Sequence, residues 1–67
     1  MVEIRVNGEA RTVPEGATVL VLLRQLGIEP ARVAVELDRR IVKQAEWEST
    51  MLRSGSQVEI VMFVGGG

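Results

Sequence analysis

The sequence contains no cysteine and no histidine among its 67 residues. Without cysteine the chain can form no disulfide and offers no thiol as a nucleophile or metal ligand. Without histidine it lacks the commonest general acid or base and the commonest metal ligand. We therefore expect no catalytic residue, no metal site and no bound cofactor in this chain.

Aromatic residues, excess charge and long apolar runs are also scarce. One Trp, one Phe, no Tyr and a formal net charge of −1 offer little for base stacking or for attraction to phosphates. The longest apolar run, Ala17 to Leu23, is far shorter than the ~20 residues that cross a bilayer. The N-terminal segment alternates apolar and charged residues, unlike a signal peptide. These features predict a cytoplasmic protein with neither a nucleic acid nor a membrane as partner.

The start of the chain has the pattern of a β-hairpin. Val2 to Val6 alternates apolar and charged residues, as a half-buried strand does. Asn7 and Gly8 follow, and both tolerate the positive φ of a two-residue hairpin turn. A second strand is predicted from about Glu9 to Val13. We favour the register that places Val13 beside Val2, although a bulged turn would reverse which side chains of the second strand face inward.

One helix is predicted after this hairpin. Thr18 can cap its first turn by accepting from a free backbone N–H, and Gly27 stands where a left-handed residue commonly ends a helix. The apolar residues between them recur at helical spacing, although Leu20 and Val21 lie off the main stripe. That stripe consists of Val19, Leu22, Leu23 and Leu26.

The second half of the chain is predicted to add three strands. They cover Arg32 to Leu37, the short edge segment Ile41 to Val42, and Gln57 to Val64, with a turn at 38–40. The last strand is the most apolar, so we expect it at the centre of the sheet, parallel to the first strand. The predicted fold is α+β, a mixed four- to five-stranded sheet with one helix packed across one face.

A short helical turn is predicted at Gln44 to Ser49, between the edge strand and the last strand. Trp47 is expected to fill the core beneath this crossover, with Met51 and Leu52 packed beside it. Residues of the last strand should alternate between the two faces of the sheet. Val58, Ile60 and Met62 are expected to face one way, and Glu59, Val61 and Phe63 the other.

Three glycines follow this strand, and we expect a globular domain at 1–64 and a flexible tail at 65–67. A terminal glycine carboxylate has no side chain to hinder attack, and preceding glycines can pass through a channel that excludes any Cβ. A carboxylate becomes a good acyl donor only after activation, for which this chain carries no suitable group. Gly67 is therefore expected to be the reactive site for a partner enzyme, with Gly65 and Gly66 as its spacer.

The open face of the sheet is expected to receive that partner, because the helix covers the other face. By parity its charged side chains are Glu3, Arg5, Glu36 and Glu59. Val61 and Phe63 are the apolar exceptions, with Ala34 beside them. Clustered exposed apolar residues often mark an interaction site. We expect docking through Val61, Phe63 and Val64, unless the strand twists and places Phe63 under a loop.

The sequence resembles the ThiS family of ubiquitin-like sulfur carrier proteins of thiamine thiazole synthesis. The resemblance covers the whole chain and implies a β-grasp fold and a carrier that is not itself an enzyme. The chain departs from the usual pattern at Asp38, Lys43 and Ser56, and also at Leu20 and Val21, where polar residues are common. None of these positions lies in the tail. The resemblance is carried by VNGE (6–9), VPEGATV (13–19), LLRQLG (22–27), VAVELDRRIV (33–42), AEW (45–47) and VEIVMFVGGG (58–67).

The resemblance also implies a set of partners. A ThiF-type enzyme would adenylate Gly67 using ATP, and a cysteine desulfurase or another donor would supply sulfur to form a thiocarboxylate. A ThiG-type thiazole synthase would accept that sulfur, and the free carrier would be a monomer. Three alternatives stay open: a carrier for molybdopterin or cysteine synthesis, a ubiquitin-like protein modifier, and a β-grasp interaction module whose tail has no role.

Overall fold

A computed structural model describes residues 1–63, so the expectations for Val64 and for the glycines at 65–67 lie outside the described residues. Six main elements and two short 3-10 turns follow one another within residues 1–63. The strands are β1 (Val2–Val6), β2 (Glu9–Val13), β3 (Val33–Leu37), β4 (Arg40–Val42) and β5 (Gln57–Met62); the helix is α1 (Val19–Gln25), and the 3-10 turns are Pro30–Arg32 and Gln44–Glu46.

The five strands form one mixed sheet in the order β2-β1-β5-β3-β4. β5 lies parallel to β1, with Val6 opposite Val58, and antiparallel to β3, with Val35 opposite Ile60. The predicted central position of the last strand is confirmed. This position buries Val58 and Ile60 against the helix side of the sheet and gives β5 a neighbour along both edges.

The β1–β2 hairpin has the favoured register, with Val2 opposite Val13 and Ile4 opposite Arg11. Its two-residue turn contains Asn7 and Gly8, both with positive φ, as this turn type requires. In this register Arg11 lies opposite the inward-facing Ile4 and therefore points to the helix side of the sheet. It can do so because β2 is an edge strand, where its side chain stays exposed to water.

The helix begins and ends as its sequence predicts. Thr18 Oγ1 accepts a hydrogen bond from the N–H of Val21 at 3.3 Å. At the other end Gly27 has a φ of 72°, and the N–H of Ile28 bonds to the carbonyl of Leu23, which together form a Schellman-type stop. The apolar stripe is buried, fully so at Val19, Leu22 and Leu23 and partly at Leu26.

Trp47 is buried in the core as predicted, and its indole Nε1 donates to the carbonyl of Val42 at 2.7 Å. Leu52 is buried as well. The prediction for Met51 is wrong, because this side chain is 54% exposed. Met51 forms an isolated antiparallel bridge with Thr18, and the alternation of an extended chain then turns Leu52 inward and Met51 outward.

Three predicted boundaries also need correction. Arg32 belongs to a 3-10 turn that begins at Pro30, a residue that favours the first position of a helical turn. Arg40 already pairs with Leu37 as part of β4, so the turn consists of Asp38 and Arg39, which both have positive φ. The predicted helix at 44–49 is a 3-10 turn of three residues. Among residues 1–63 no helix is long and apolar enough to cross a membrane.

We predict that Trp47→Ala lowers the free energy of unfolding by about 3–5 kcal/mol, the usual loss for a buried large aromatic residue. Urea denaturation followed by circular dichroism measures the change. Trp47→Phe is the matched control: it keeps an aromatic ring in the core but removes the donor to Val42, so a smaller loss is expected. An unchanged midpoint for Trp47→Ala would contradict the assignment to the core.

Candidate functional site

The face of the sheet opposite α1 carries mostly charged side chains in the described part of the chain. Glu3, Arg5 and Glu59 are exposed on it, and Glu36 is half-buried. Their alternation with buried residues on the same strands follows from the two-residue period of a strand. No described element covers this face, so a partner can reach it. Its charged side chains by themselves favour contact with water.

An apolar patch interrupts this face at the end of β5. We call Ala34, Val61 and Phe63 the apolar patch. Val61 lies opposite Ala34 in the β3–β5 register, and the side chains of Val61 and Phe63 are 57% and 61% exposed. An exposed pair of large apolar residues beside a small one leaves a surface that a partner can cover with little steric obstruction.

The last strand was predicted to continue through Phe63, but β5 ends at Met62. Phe63 directly follows the strand, and its backbone is still held in line with the sheet. Its backbone N–H donates to the carbonyl of Arg32 at 2.8 Å, one residue beyond the last register pair of β3 and β5, Val33 opposite Met62. The alternative in which Phe63 folds under a loop is not observed, because its side chain is exposed. The docking role of Val61, Phe63 and Val64 stays a prediction, and Val64 lies outside the described residues.

Two carboxylates lie next to the apolar patch. Glu36 and Glu59 are directly opposite each other on β3 and β5, and the exposed Ile41 of β4 is opposite Glu36 on its other side. Like charges at directly opposite positions of neighbouring strands repel. Sequence reasoning placed both carboxylates on the open face but did not pair them, because their adjacency depends on which strands are neighbours.

The helix side of the sheet has an open groove of about 280 Å³ at the C-terminal end of α1. Leu26 and Ile28 line one wall, and Ile60 and Met62 line the other. Met62 thus points to the predicted side of β5, but it stays exposed because the seven-residue helix ends before covering it. Asn7 also borders this groove, at the turn between β1 and β2.

The described residues contain no cluster of acidic side chains that could hold a metal ion. Every buried side-chain nitrogen or oxygen in 1–63 has a hydrogen-bond partner. Ser56 is the one buried polar residue among those the structure describes. Its hydroxyl accepts from the N–H of Arg53 at 2.8 Å, which closes the turn before β5. The buried polar side chains in this part of the chain are thus all hydrogen-bonded within the fold.

Comparison with known proteins identifies relatives across the whole fold. A model described as the ThiS family matches residues 4–67. The crystal structure of a thiamine biosynthesis protein (ThiS) from Geobacter metallireducens superimposes with a TM-score of 0.85 at 32% sequence identity, covering 98% of this chain and all of that one. The five-stranded mixed sheet with one crossing helix is thus a ubiquitin-like β-grasp, as predicted.

Two longer proteins also contain a similar segment. A protein named thiazole synthase from Magnetococcus marinus is 37% identical over 65 residues, which cover 97% of this chain and 20% of that protein. A thiazole synthase from Paramagnetospirillum magneticum is 39% identical over 62 residues, covering 92% of this chain and 19% of that protein. The chain therefore spans about a fifth of the length of these relatives.

We predict that Glu59→Gln raises the free energy of unfolding by a few tenths of a kcal/mol, the lower part of the ~0.2–1 kcal/mol range of cross-strand pairs. The physical reason is the removal of repulsion from Glu36. Glu3→Gln is the control, because Glu3 shares the open face but lies opposite the uncharged Thr12. Thermal melting at low and at high salt provides the measurement. Equal effects of the two substitutions would show that the Glu36–Glu59 pair has no special cost.

Proposed function

Because the chain belongs to the ThiS family, a family of small sulfur carrier proteins of thiamine biosynthesis, we propose that it carries sulfur as a thiocarboxylate on Gly67. The observation that supports this proposal best is the extent of the family match, which continues through the glycines to residue 67. The thiocarboxylate would serve thiazole synthesis. In this reaction the chain is a co-substrate of other enzymes and not a catalyst.

The first step is activation of the carboxylate in a partner enzyme of the ThiF type. A carboxylate oxygen of Gly67 attacks the α-phosphorus of ATP, the bond to the β-phosphate breaks, and pyrophosphate leaves. The acyl adenylate that forms has AMP as a good leaving group. In this proposal the partner, and not this chain, binds the ATP.

The second step replaces AMP by sulfur. A persulfide of a cysteine desulfurase, or of another sulfur donor, attacks the acyl carbon and expels AMP, giving an acyl disulfide. A thiol then cleaves the S–S bond, leaves the thiocarboxylate on Gly67 and is itself oxidised to a disulfide. The glycines at 65–67 suit these two steps, because a tail without side chains can enter a narrow channel in each active site.

A ThiG-type thiazole synthase is the proposed acceptor of the sulfur. The two relatives named thiazole synthase support this choice, because a segment similar to this chain and the region that gives them their name belong to one polypeptide. A single chain keeps a donor and an acceptor at high effective concentration. We propose that this chain reaches such an acceptor by docking and is a monomer when free.

Docking would use the apolar patch as its anchor. Burial of Phe63 and Val61 against a partner removes apolar surface from water, and the adjacent Glu36 and Glu59 favour a partner with cationic groups at the border of the contact. The patch lies at the end of the strand that leads to the tail. Residues 64–67 can extend by ~13 Å, enough for the carboxylate to enter an active site while the domain stays outside.

We predict that deletion of Gly66 and Gly67 abolishes thiocarboxylate formation without unfolding the domain. The shortened chain would lose ~7 Å of reach. Intact-mass analysis after incubation with the adenylating enzyme, ATP and a sulfur source detects replacement of one oxygen by sulfur. Gly66→Val is expected to fail similarly by blocking the channel. A truncated chain that still gains sulfur would contradict the carrier proposal, and mass added to lysines of other proteins would indicate a modifier instead.

We also predict that Phe63→Asp weakens binding to the adenylating enzyme and to the sulfur acceptor by about 30-fold or more, since anchors of this kind contribute ~2 kcal/mol or more each. Isothermal titration calorimetry measures both affinities. Glu3→Lys is the control on the same face, farther from the tail, and should change binding much less. Unchanged affinity of the Phe63→Asp variant for both partners would rule out this surface, with Leu20 and Val21 as the next candidates.

A further inference from the structure

The side chain of Asn7 makes contacts that a hairpin turn does not require. The backbone N–H of Asn7 donates to the carbonyl of Val58 at 2.8 Å. Its side-chain Oδ1 accepts from the N–H of Ile60 at 2.7 Å, and its Nδ2 donates to the carbonyl oxygen of the same residue at 3.2 Å. One turn residue therefore bonds to two successive inward-facing residues of the central strand, 51 and 53 positions later in the chain.

These bonds lie where β5 loses its neighbour on one side. The β1–β5 register ends with Val6 opposite Val58, because β1 gives way to the turn, while β5 continues to Met62. On its other side β5 stays paired with β3 as far as Met62. The Asn7 amide offers one acceptor and donor groups, as a peptide unit does. It thus takes the place of a further residue of β1 opposite Ile60.

Position 7 needs both a left-handed backbone and a side chain that can accept and donate hydrogen bonds, and few residue types combine the two. Asn7 has a φ of 51°, in the left-handed region that Gly, Asn and Asp tolerate best. Gly has no side chain with which to bond Ile60. Asp would accept from the N–H of Ile60 but would place a second acceptor against its carbonyl oxygen. Of these three residue types, only Asn can satisfy both backbone groups of Ile60.

We propose that Asn7 is a positioning residue for the reaction of Gly67, an inference that rests on the proposed function. Ile60 directly precedes Val61 and lies three residues before Phe63, so a bond that fixes Ile60 also fixes the direction in which the apolar patch is presented. When a partner binds the apolar patch, the tail would then start from one fixed point, directly after Phe63. Asn7 acts through β5 and not on the reacting atoms, and displacement of a reacting group by about 1 Å can cost up to ~100-fold in rate.

A matched contact at the other end of β5 supplies the control. Asp38 also has a φ of 51° and lies in the β3–β4 turn. Its Oδ1 accepts from the N–H of Gln57, the first residue of β5, at 3.0 Å. Asp38 therefore shares with Asn7 its backbone conformation and a side-chain bond to the central strand, but it holds the strand end remote from the apolar patch.

The experiment compares Asn7→Gly, Asn7→Asp and Asp38→Gly in the full chain. Glycine preserves the left-handed backbone at both positions, so each variant is expected to fold, and thermal melting verifies this. ATP–pyrophosphate exchange with a ThiF-type adenylating enzyme gives kcat and KM for the carrier. Amide hydrogen exchange measured by NMR reports on the Ile60 and Gln57 N–H groups separately.

We expect Asn7→Gly to lower kcat/KM for adenylation by about 10-fold or more and to speed exchange of the Ile60 amide. The kcat/KM and the Ile60 exchange rate of Asn7→Asp should lie between those of Asn7→Gly and wild type, because aspartate keeps the acceptor and loses the donor. Asp38→Gly should speed exchange at Gln57 and leave adenylation near the wild-type value, at a similar melting temperature.

Adenylation of the Asn7→Gly variant with the wild-type kcat/KM would overturn the positioning role. An equal loss of kcat/KM in the Asp38→Gly variant would overturn it as well, because the effect would then reflect general stability. Both results leave the proposed function intact, because the wild-type chain still reacts. Absence of exchange with the wild-type chain would instead overturn the proposed function, and the positioning role with it.

Discussion

The central strand β5 is the element on which the rest of this small sheet depends. Its neighbours are the first strand on one side and the third on the other, and these two strands belong to separate hairpins. Buried Val58 and Ile60 connect the two halves of the core beneath α1. In a chain of 67 residues, which buries only about 60% of its unfolded surface on folding, loss of this pairing would divide the core in two.

The alternation of side chains along β5 lets one side of the strand form the core while the other side forms the open face. Its inward residues pack against the helix stripe. Its outward residues Glu59 and Val61, and Phe63 directly after the strand, belong to the open face. Since the period is two, changes on one side need not disturb the other. The proposed docking role of the apolar patch benefits from this separation, because a partner can cover the patch without disturbing the core.

The two hairpin turns secure the central strand by the same physical means. Asn7 and Asp38 both adopt a left-handed backbone, and both turn a short polar side chain toward the backbone of β5. Asn7 holds the strand near its end and Asp38 at its beginning. Such bonds stand in for strand pairing where the neighbouring chain has turned away, which keeps the exit of the strand defined up to Phe63.

Local signals determined much of this protein in advance. The Asn7–Gly8 turn indicated the hairpin but left two registers open, Thr18 and Gly27 bounded the helix, and the apolar pattern of the last strand indicated its central position. These features rest on φ preferences, capping and periodicity, all of which act over a few residues. The glycines at 65–67 and the resemblance that they complete led to the proposed carrier chemistry.

Tertiary structure alone decided the contacts between distant segments. Met51 is exposed because its bridge to Thr18 sets which of two adjacent apolar residues turns inward. Glu36 and Glu59 face each other, and the Asn7 amide reaches Ile60, only because the strands that carry them are neighbours in this sheet. A periodic pattern states which face a residue occupies, but its partner on that face depends on strand order and register, which are set by the packing of the whole chain.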